Sequence, residues 1–272
     1  MRDRSPPLVE HVLRARRMGC DGPAYLQSRM SAAHIAVRSP SLVDSVRVAG
    51  AKLYADLHSD IVTGRMRPGE GLSESRVAEQ YGISRTPVRE VFRRLTDEGL
   101  LRVVPQVGTY VAPINLAAVS DSQFIREALE CRAVRLAAKK ATPREIKALR
   151  HELRVQEQAI AAGDRTRFFA SDEDMHRMLM GIAGHARAWD LIGSAKAQLD
   201  RVRHLSLEQQ GWLGMIYGQH QEIVERAASH DVTGAEAAMK AHLRTVFAAV
   251  SRITAEHGSF FEEQMPKRAP RP

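Results

Sequence analysis

The stretch that decides the fold runs from Gly82 to Leu101, GISRTPVREVFRRLTDEGLL. Val88, Val91, Phe92 and Leu95 recur at i, i+3, i+4 and i+7, one apolar stripe of an α-helix. Arg85 and Arg89 stand four apart on a different face near the helix start, with Thr86 beside them. Ser84 is placed to cap the helix, Pro87 falls in its first turn where the missing N–H costs little, and Gly99 stops it after Glu98. A helix divided in this way packs one face on a partner and offers its arginine-bearing start to base edges. The planar guanidinium fork suits guanine O6 and N7. Taken alone, the Arg-x-x-x-Arg pair also describes an ordinary surface helix with solvated arginines, so the flanking sequence has to discriminate.

On the N-terminal side, Val46, Gly50, Leu53, Leu57 and Ile61 repeat at helical spacing up to Gly64. The run RMRPGEGLSES is a turn, punctuated by Pro68, Gly69 and Gly71. A short helix follows from Ser73 to about Tyr81, closed by Gly82 as a C-cap. On the C-terminal side, Leu101–Val104 and Thr109–Ala112 are β-favouring runs joined by Pro105, Gln106, Val107 and Gly108, which predicts a hairpin. Helix, helix–turn–helix and hairpin in that order make a winged helix, here residues 45–113.

The rest of the chain divides around it. Residues 1–44 carry Pro6, Pro7, Pro23 and Pro40 with no sustained period, and cluster Arg14, Arg16 and Arg17. They are expected to form a disordered basic arm with a short helix near Val9–Met18, either touching phosphates or dispensable. Beyond Leu116 strand signals vanish. Helices are expected over 118–140, 143–162, 165–183, 186–208, 211–230 and 234–256, with Thr142-Pro143-Arg144-Glu145 as a capping box. Their short connections predict an all-α antiparallel helical bundle over 114–257. Residues 258–272 are expected to be a frayed tail. The fold class is therefore mainly α, an N-terminal winged helix-turn-helix followed by a bundle.

Composition constrains function less than these patterns do. The 272 residues are 44% hydrophobic and 26% charged, a globular balance. Aromatics at 5% argue against a base-stacking surface for single strands. The net charge of +8 permits a polyanionic partner, but the basic excess is spread along the chain and singles out no region. No apolar run approaches a membrane span and the start shows no secretory pattern. Cys20 and Cys131 cannot build a disulfide framework, so a cytoplasmic location is expected.

Among eleven histidines, three join a carboxylate in a suggestive arrangement. Asp172 and His176 are four apart in FFASDEDMHRML and share a helix face. His220 and His242 lie on two later helices. One carboxylate and three imidazoles suit zinc, nickel, manganese or iron, and bundle helices can aim such groups at one point. Three separate core or surface histidines would give the same pattern. His185 reads as a surface residue, and Trp189, Phe168, Phe169 and Met178 read as core.

The segment LSESRVAEQYGISRTPVREVFRRLTDEGLL resembles the GntR family of bacterial transcription regulators, most closely through Ser84-Arg85-Thr86-Pro87-Val88-Arg89-Glu90 and the following Gly99-Leu100-Leu101. The resemblance implies that Arg85 and Arg89 contact bases or backbone, that Ser84 and Thr86 assist, and that Gly108 marks the wing tip. The arginine that this family often carries directly after Leu72-Ser73-Glu74 stands one step on, at Arg76. The helical region is similar to the FCD domain of the FadR-like branch, through Phe124–Glu130, Asp172–His176, His220–Ile223 and Asp231–His242. That likeness implies a divalent metal, zinc foremost, held by Asp172, His176, His220 and His242. It also implies a small-molecule effector, expected to be a carboxylate, and a homodimer on double-stranded operator DNA. Arg126 and Arg203 are the candidate effector-binding residues. For Arg126, a cavity-facing role stands beside a helical pair with Glu130 or plain solvation.

The competing expectation is a helical metal-dependent hydrolase. It lacks a general base beyond the ligand set, because the helical phase of Glu173 and Asp174 turns them from His176. The chain has no P-loop, GxGxxG or GxSxG motif.

Overall fold

A computed structural model describes residues 42–206 and 211–261. The basic arm, its expected short helix and most of the C-terminal tail lie outside the described residues. Helix α1 (Leu42–Val62) leads into strand β1 (Gly71–Leu72), helices α2 (Glu74–Tyr81) and α3 (Arg85–Asp97), and strands β2 (Leu101–Val104) and β3 (Gly108–Val111). The sheet order is β1-β3-β2, antiparallel throughout, with Leu72 opposite Thr109 and Val103 opposite Thr109 on the other side.

Local chemistry explains most of these boundaries. The Ser73 hydroxyl accepts the Arg76 amide at the start of α2, and Gly82 closes it at φ +63°. That left-handed turn is open to glycine at no steric cost. The stripe on α3 is buried as patterned: Val88, Val91, Phe92 and Leu95 meet Leu53, Leu57 and Ile61 of α1, with Leu100 and Val111 of the wing. Two expectations need correction. Ser84 occupies the N-cap position of α3 with extended backbone, but its side chain makes no capping bond. The segment at Gly71–Leu72, expected to be turn, is a short strand completing the sheet. Two residues carry no periodicity, so only pairing with β3 reveals it.

The helical half comprises α4 (Leu116–Lys140), α5 (Pro143–Ala162), α6 (Arg165–Ile182), α7 (Ala188–Ala195), α8 (Ala197–Ser206), α9 (Trp212–Ala228) and α10 (Val232–Glu256). Thr142 and Glu145 form the capping box, Gly163 ends α5 at φ +67°, and Asp164 and Asp231 cap α6 and α10. The core is Leu149, Met175, Leu179, Ile223, Val224, Met239 and Leu243 with their neighbours. Phe168 and Trp189 are buried, and His185 is exposed. The single helix expected over 186–208 is two, broken at Lys196. Neither Gly nor Pro marks that break. The Lys196 ammonium lies 2.7 Å from Glu173 of α6, a tertiary contact that the local sequence does not show, and also pairs with Asp200 one turn on. The expected fray at 258 is also corrected. Gly258–Phe260 forms a 3-10 turn, and buried Phe261 bridges to Ile114.

Candidate functional site

Two sites emerge. At the first, the start of α3 leaves Ser84, Arg85, Thr86 and Arg89 exposed on the face opposite the buried stripe. The first turn of α3 carries no acidic residue, so Arg85 opposes the positive end of the helix dipole. Glu74 of α2 compensates. One of its oxygens accepts from Arg85 at 3.1 Å and from Arg89 at 2.8 Å. The Arg89 bond, helped by Arg85, holds the Glu74 carboxyl below its usual range. Arg76 and Gly108, far apart in sequence, line one surface groove of about 760 Å³ with Ser73, Val107 and Thr109. The wing turns through Gln106 at φ +63°. Two exposed arginines and an unblocked helix N-terminus, with Arg76 in the groove beside the wing, form a surface suited to phosphate and base edges.

The second site lies inside the bundle. Asp172 and His176 project from α6, His220 from α9 and His242 from α10, all buried, with donor atoms within 4.8 Å of one another. Each imidazole is oriented by its own acceptor. His176 Nδ1 is 2.5 Å from Glu130 Oε2, His220 Nδ1 is 2.8 Å from Gln156 Oε1, and His242 Nδ1 is 3.0 Å from Gln219 Oε1. Oxygen acceptors on all three Nδ1 atoms put the ring protons there and leave the Nε2 lone pairs free. Such outer partners are how ligating histidines are usually fixed. His176 Nε2 and His220 Nε2 are buried without a hydrogen-bond donor. His220 Nε2 also faces Asp172 Oδ1 at 3.2 Å. Two acceptors facing each other in a buried site call for a cation between them.

The protonation states agree. Burial pushes His220 and His242 down, toward the neutral, ligating form. Burial would raise the Asp172 carboxyl, but the Arg203 guanidinium beside it outweighs this and keeps the group well below the carboxylate range. An ionised carboxylate and neutral imidazoles are what a divalent ion requires, so the residues present fit one.

Both candidate effector arginines reach this site, each already paired. Arg126 Nε donates to Glu130 at 2.6 Å in a pair almost wholly buried. The helical pair with Glu130 is thus formed, and the side chain also lines a cavity. Arg203 donates to Asp172 Oδ2, to Glu173 at 2.7 Å and to Asp200 at 3.0 Å. They line a cavity of about 40 Å³ with Phe168, Phe169, Trp212 and His242. Sequence reasoning places Glu130 only beside Arg126, not against His176, and does not reach Gln156 or Gln219. Glu130 alone had a signal, its spacing of four from Arg126; the glutamines become neighbours only through packing.

Comparison with known proteins follows this division. Residues 49–111 match the bacterial regulatory proteins of the gntR family, and residues 121–245 match the FCD domain. The HTH-type transcriptional repressor RspR of Escherichia coli K12 is 36% identical over 213 residues, covering 78% of this chain and 93% of that protein. The Nta operon transcriptional regulator of Aminobacter aminovorans is 30% identical, covering 71% and 90%. Among solved structures, Escherichia coli McbR/YncC superposes with a TM-score of 0.64 at 22% identity, covering 75% of this chain and 97% of that one. A GntR regulator from Rhodococcus sp. RHA1 gives 0.63 at 21% identity, covering 74% and 97%.

Proposed function

Because the chain belongs to the gntR family of bacterial regulatory proteins and carries an FCD domain, we propose that its two sites are an operator-reading helix and a metal-assisted effector pocket. It is a DNA-binding transcription regulator and not an enzyme, which removes the hydrolase alternative. GntR regulators bind operator DNA, FCD domains bind small-molecule effectors and commonly hold a metal, and the buried Asp/His cluster could hold one here.

In the proposed reading, α3 enters the major groove by its N-terminal end. Arg85 and Arg89 exchange Glu74 for base edges, Ser84 and Thr86 bond phosphates, and Arg76 and Gly108 hold the backbone beside the wing. Asp172, His176, His220 and His242 hold the ion, zinc foremost, with nickel, manganese or iron as alternatives. A divalent ion supplies a Lewis-acidic position to which an effector carboxylate binds. Arg126 and Arg203 steady that carboxylate while keeping their internal partners. The present cavity has room for about one or two waters, so an organic acid enters only as Phe169 and Trp212 give way. The protein acts as a repressor in the cytoplasm. No helix among the described residues is long and apolar enough to cross a membrane.

It acts as a homodimer, since one recognition helix reads few base pairs and two-fold repetition multiplies specificity. The face that supports this lies between α4 and α10, a groove of about 840 Å³. There Phe124 and Phe247 are exposed, and the buried Gln123 amide has neither atom paired. Two exposed aromatic rings in one groove make an apolar patch that a second copy related by a two-fold axis would cover.

The observation that carries the metal reading is the set of three Nδ1-anchored imidazoles converging on Asp172. Elemental analysis of the purified full chain tests it. About one zinc per chain is expected for the wild type and little for His220→Ala, with operator binding retained by both. A wild type that takes up no divalent ion from any of the four would contradict the reading.

A further inference from the structure

Helix α8 buries eight of its ten residues, all but Arg203 and His204, yet its sequence AQLDRVRHLS is largely polar. A helix this enclosed is ordinarily apolar all round. Its polar groups are committed in two directions. Gln198 and Arg201, one turn apart, face the winged helix. Gln198 Nε2 donates to the Gly99 carbonyl at 2.6 Å, and Arg201 Nη1 donates to the Ala112 carbonyl at 2.8 Å. Ala197 packs within the winged-helix core itself. Asp200 and Arg203 face the other way, and Arg203 holds Asp172, the carboxylate of the buried cluster. A third side, Leu199, Val202 and Leu205, is locked by Ile114, Val246 and Ile253.

The contact at Gly99 is the telling one. Gly99 follows the recognition helix directly, at φ +72°, and a Cβ placed there would lie 3.3 Å from Gln198 Nε2. The left-handed backbone calls for glycine, and a Cβ there would also press on the Gln198 amide. Gln198 therefore grips the C-terminal end of the helix whose N-terminal end carries Arg85 and Arg89. Five residues along α8, Arg203 grips a carboxylate whose other oxygen faces the histidines.

We infer that Gln198 and Arg203 are positioning residues which make α8 the rigid link between the Asp172 cluster and the recognition helix. The inference rests on the metal reading above. A cation at Asp172 Oδ1 draws on the same carboxylate charge that anchors Arg203 through Oδ2. The Arg203–Asp172 bond is then weaker in one state than in the other, and that difference is what a coupled equilibrium requires. Arg203 keeps Glu173 and Asp200 in both states, so the change passes to the helix as a small shift. The buried face of α8 transmits it to Gly99, because packed side chains do not absorb it.

The test measures operator affinity of the full chain with and without saturating zinc, beside zinc affinity with and without operator. Wild type is expected to show an operator response on the order of 10-fold, and reciprocity requires the same factor in zinc affinity. Gln198→Met keeps the side-chain volume but cannot donate to Gly99. Its zinc affinity and its zinc-free operator affinity are expected to stay within about 3-fold of wild type while the mutual factor falls toward one. A merely structural role for Gln198 would lower stability and leave that factor intact, which would overturn the inference. Amide exchange gives a readout free of substitution: zinc should alter protection at Glu98–Leu101 in the wild type. Zinc uptake with no operator response and no change there would overturn the link alone. No zinc uptake would overturn the metal reading and the link together.

Discussion

The molecule uses two pairs of arginines in opposite ways. At the recognition helix, Arg85 and Arg89 are 55% and 62% exposed and share a single carboxylate, Glu74. In the bundle, Arg126 and Arg203 are 3% and 13% exposed and hold four carboxylates between them. An exposed pair contributes little to stability, so its arginines can trade Glu74 for phosphates or guanine at small cost. A buried pair cannot be opened without stranding a charge. Guanidinium groups that must meet a new partner are therefore left outside, under-neutralised and close to a helix N-terminus. Those that hold a framework are saturated; in the proposed reading, Arg126 and Arg203 would steady an effector only as members of that existing network.

The largest expected effect breaks the buried half of that comparison. Arg203→Met leaves Asp172, Glu173 and Asp200 buried with less cationic compensation, and urea unfolding of the full chain should show a loss of about 3–5 kcal/mol. A change below about 1 kcal/mol would mean that the network is as dispensable as a surface one.

A smaller effect follows from pH, because the arginines do not titrate in the accessible range but the half-buried His204 does. Burial brings His204 down from 6.5 to about 4. The unfolded chain then takes up the proton first, so the stabilisation is complete above about pH 6.5 and is lost as pH falls toward 4. Glu130 behaves differently. Burial opposes its ionisation, but Arg126 and His176 hold it at about 2, so its share persists until the solution is much more acidic. Urea midpoints flat from pH 8 to about 6.5 and falling below it are expected; a midpoint unchanged down to pH 4 would contradict the desolvation of the His204 ring.

The smallest effect sharpens the exposed half. Glu74→Gln should alter stability by less than about 1 kcal/mol. It frees both arginines, so non-specific DNA affinity should rise and its salt dependence steepen. Gel retardation on unrelated duplex at two salt concentrations reads this directly.

How much was legible in the sequence follows the range of each interaction. The stripe Val88, Val91, Phe92 and Leu95, the Gly82 cap and the Thr142 capping box are local and were readable at once. Asp172 and His176 share one helix and pair by spacing, whereas His220 and His242 on later helices could equally be separate core or surface histidines until the family likeness favoured one set. Strand β1, the break at Lys196 and the burial of Phe261 depend on partners distant in sequence, and no local pattern announced them. The same is true of Gln156 and Gln219, which matter only because packing sets them against imidazoles.

The most direct test of the central claim is recovery of genomic fragments by the full chain at physiological salt, wild type against the double substitution Arg85→Ala, Arg89→Ala. The account predicts discrete loci enriched by the wild type and loss of that enrichment, with an unchanged unfolding midpoint, in the variant. Enrichment of the same loci to the same extent by both proteins would contradict it.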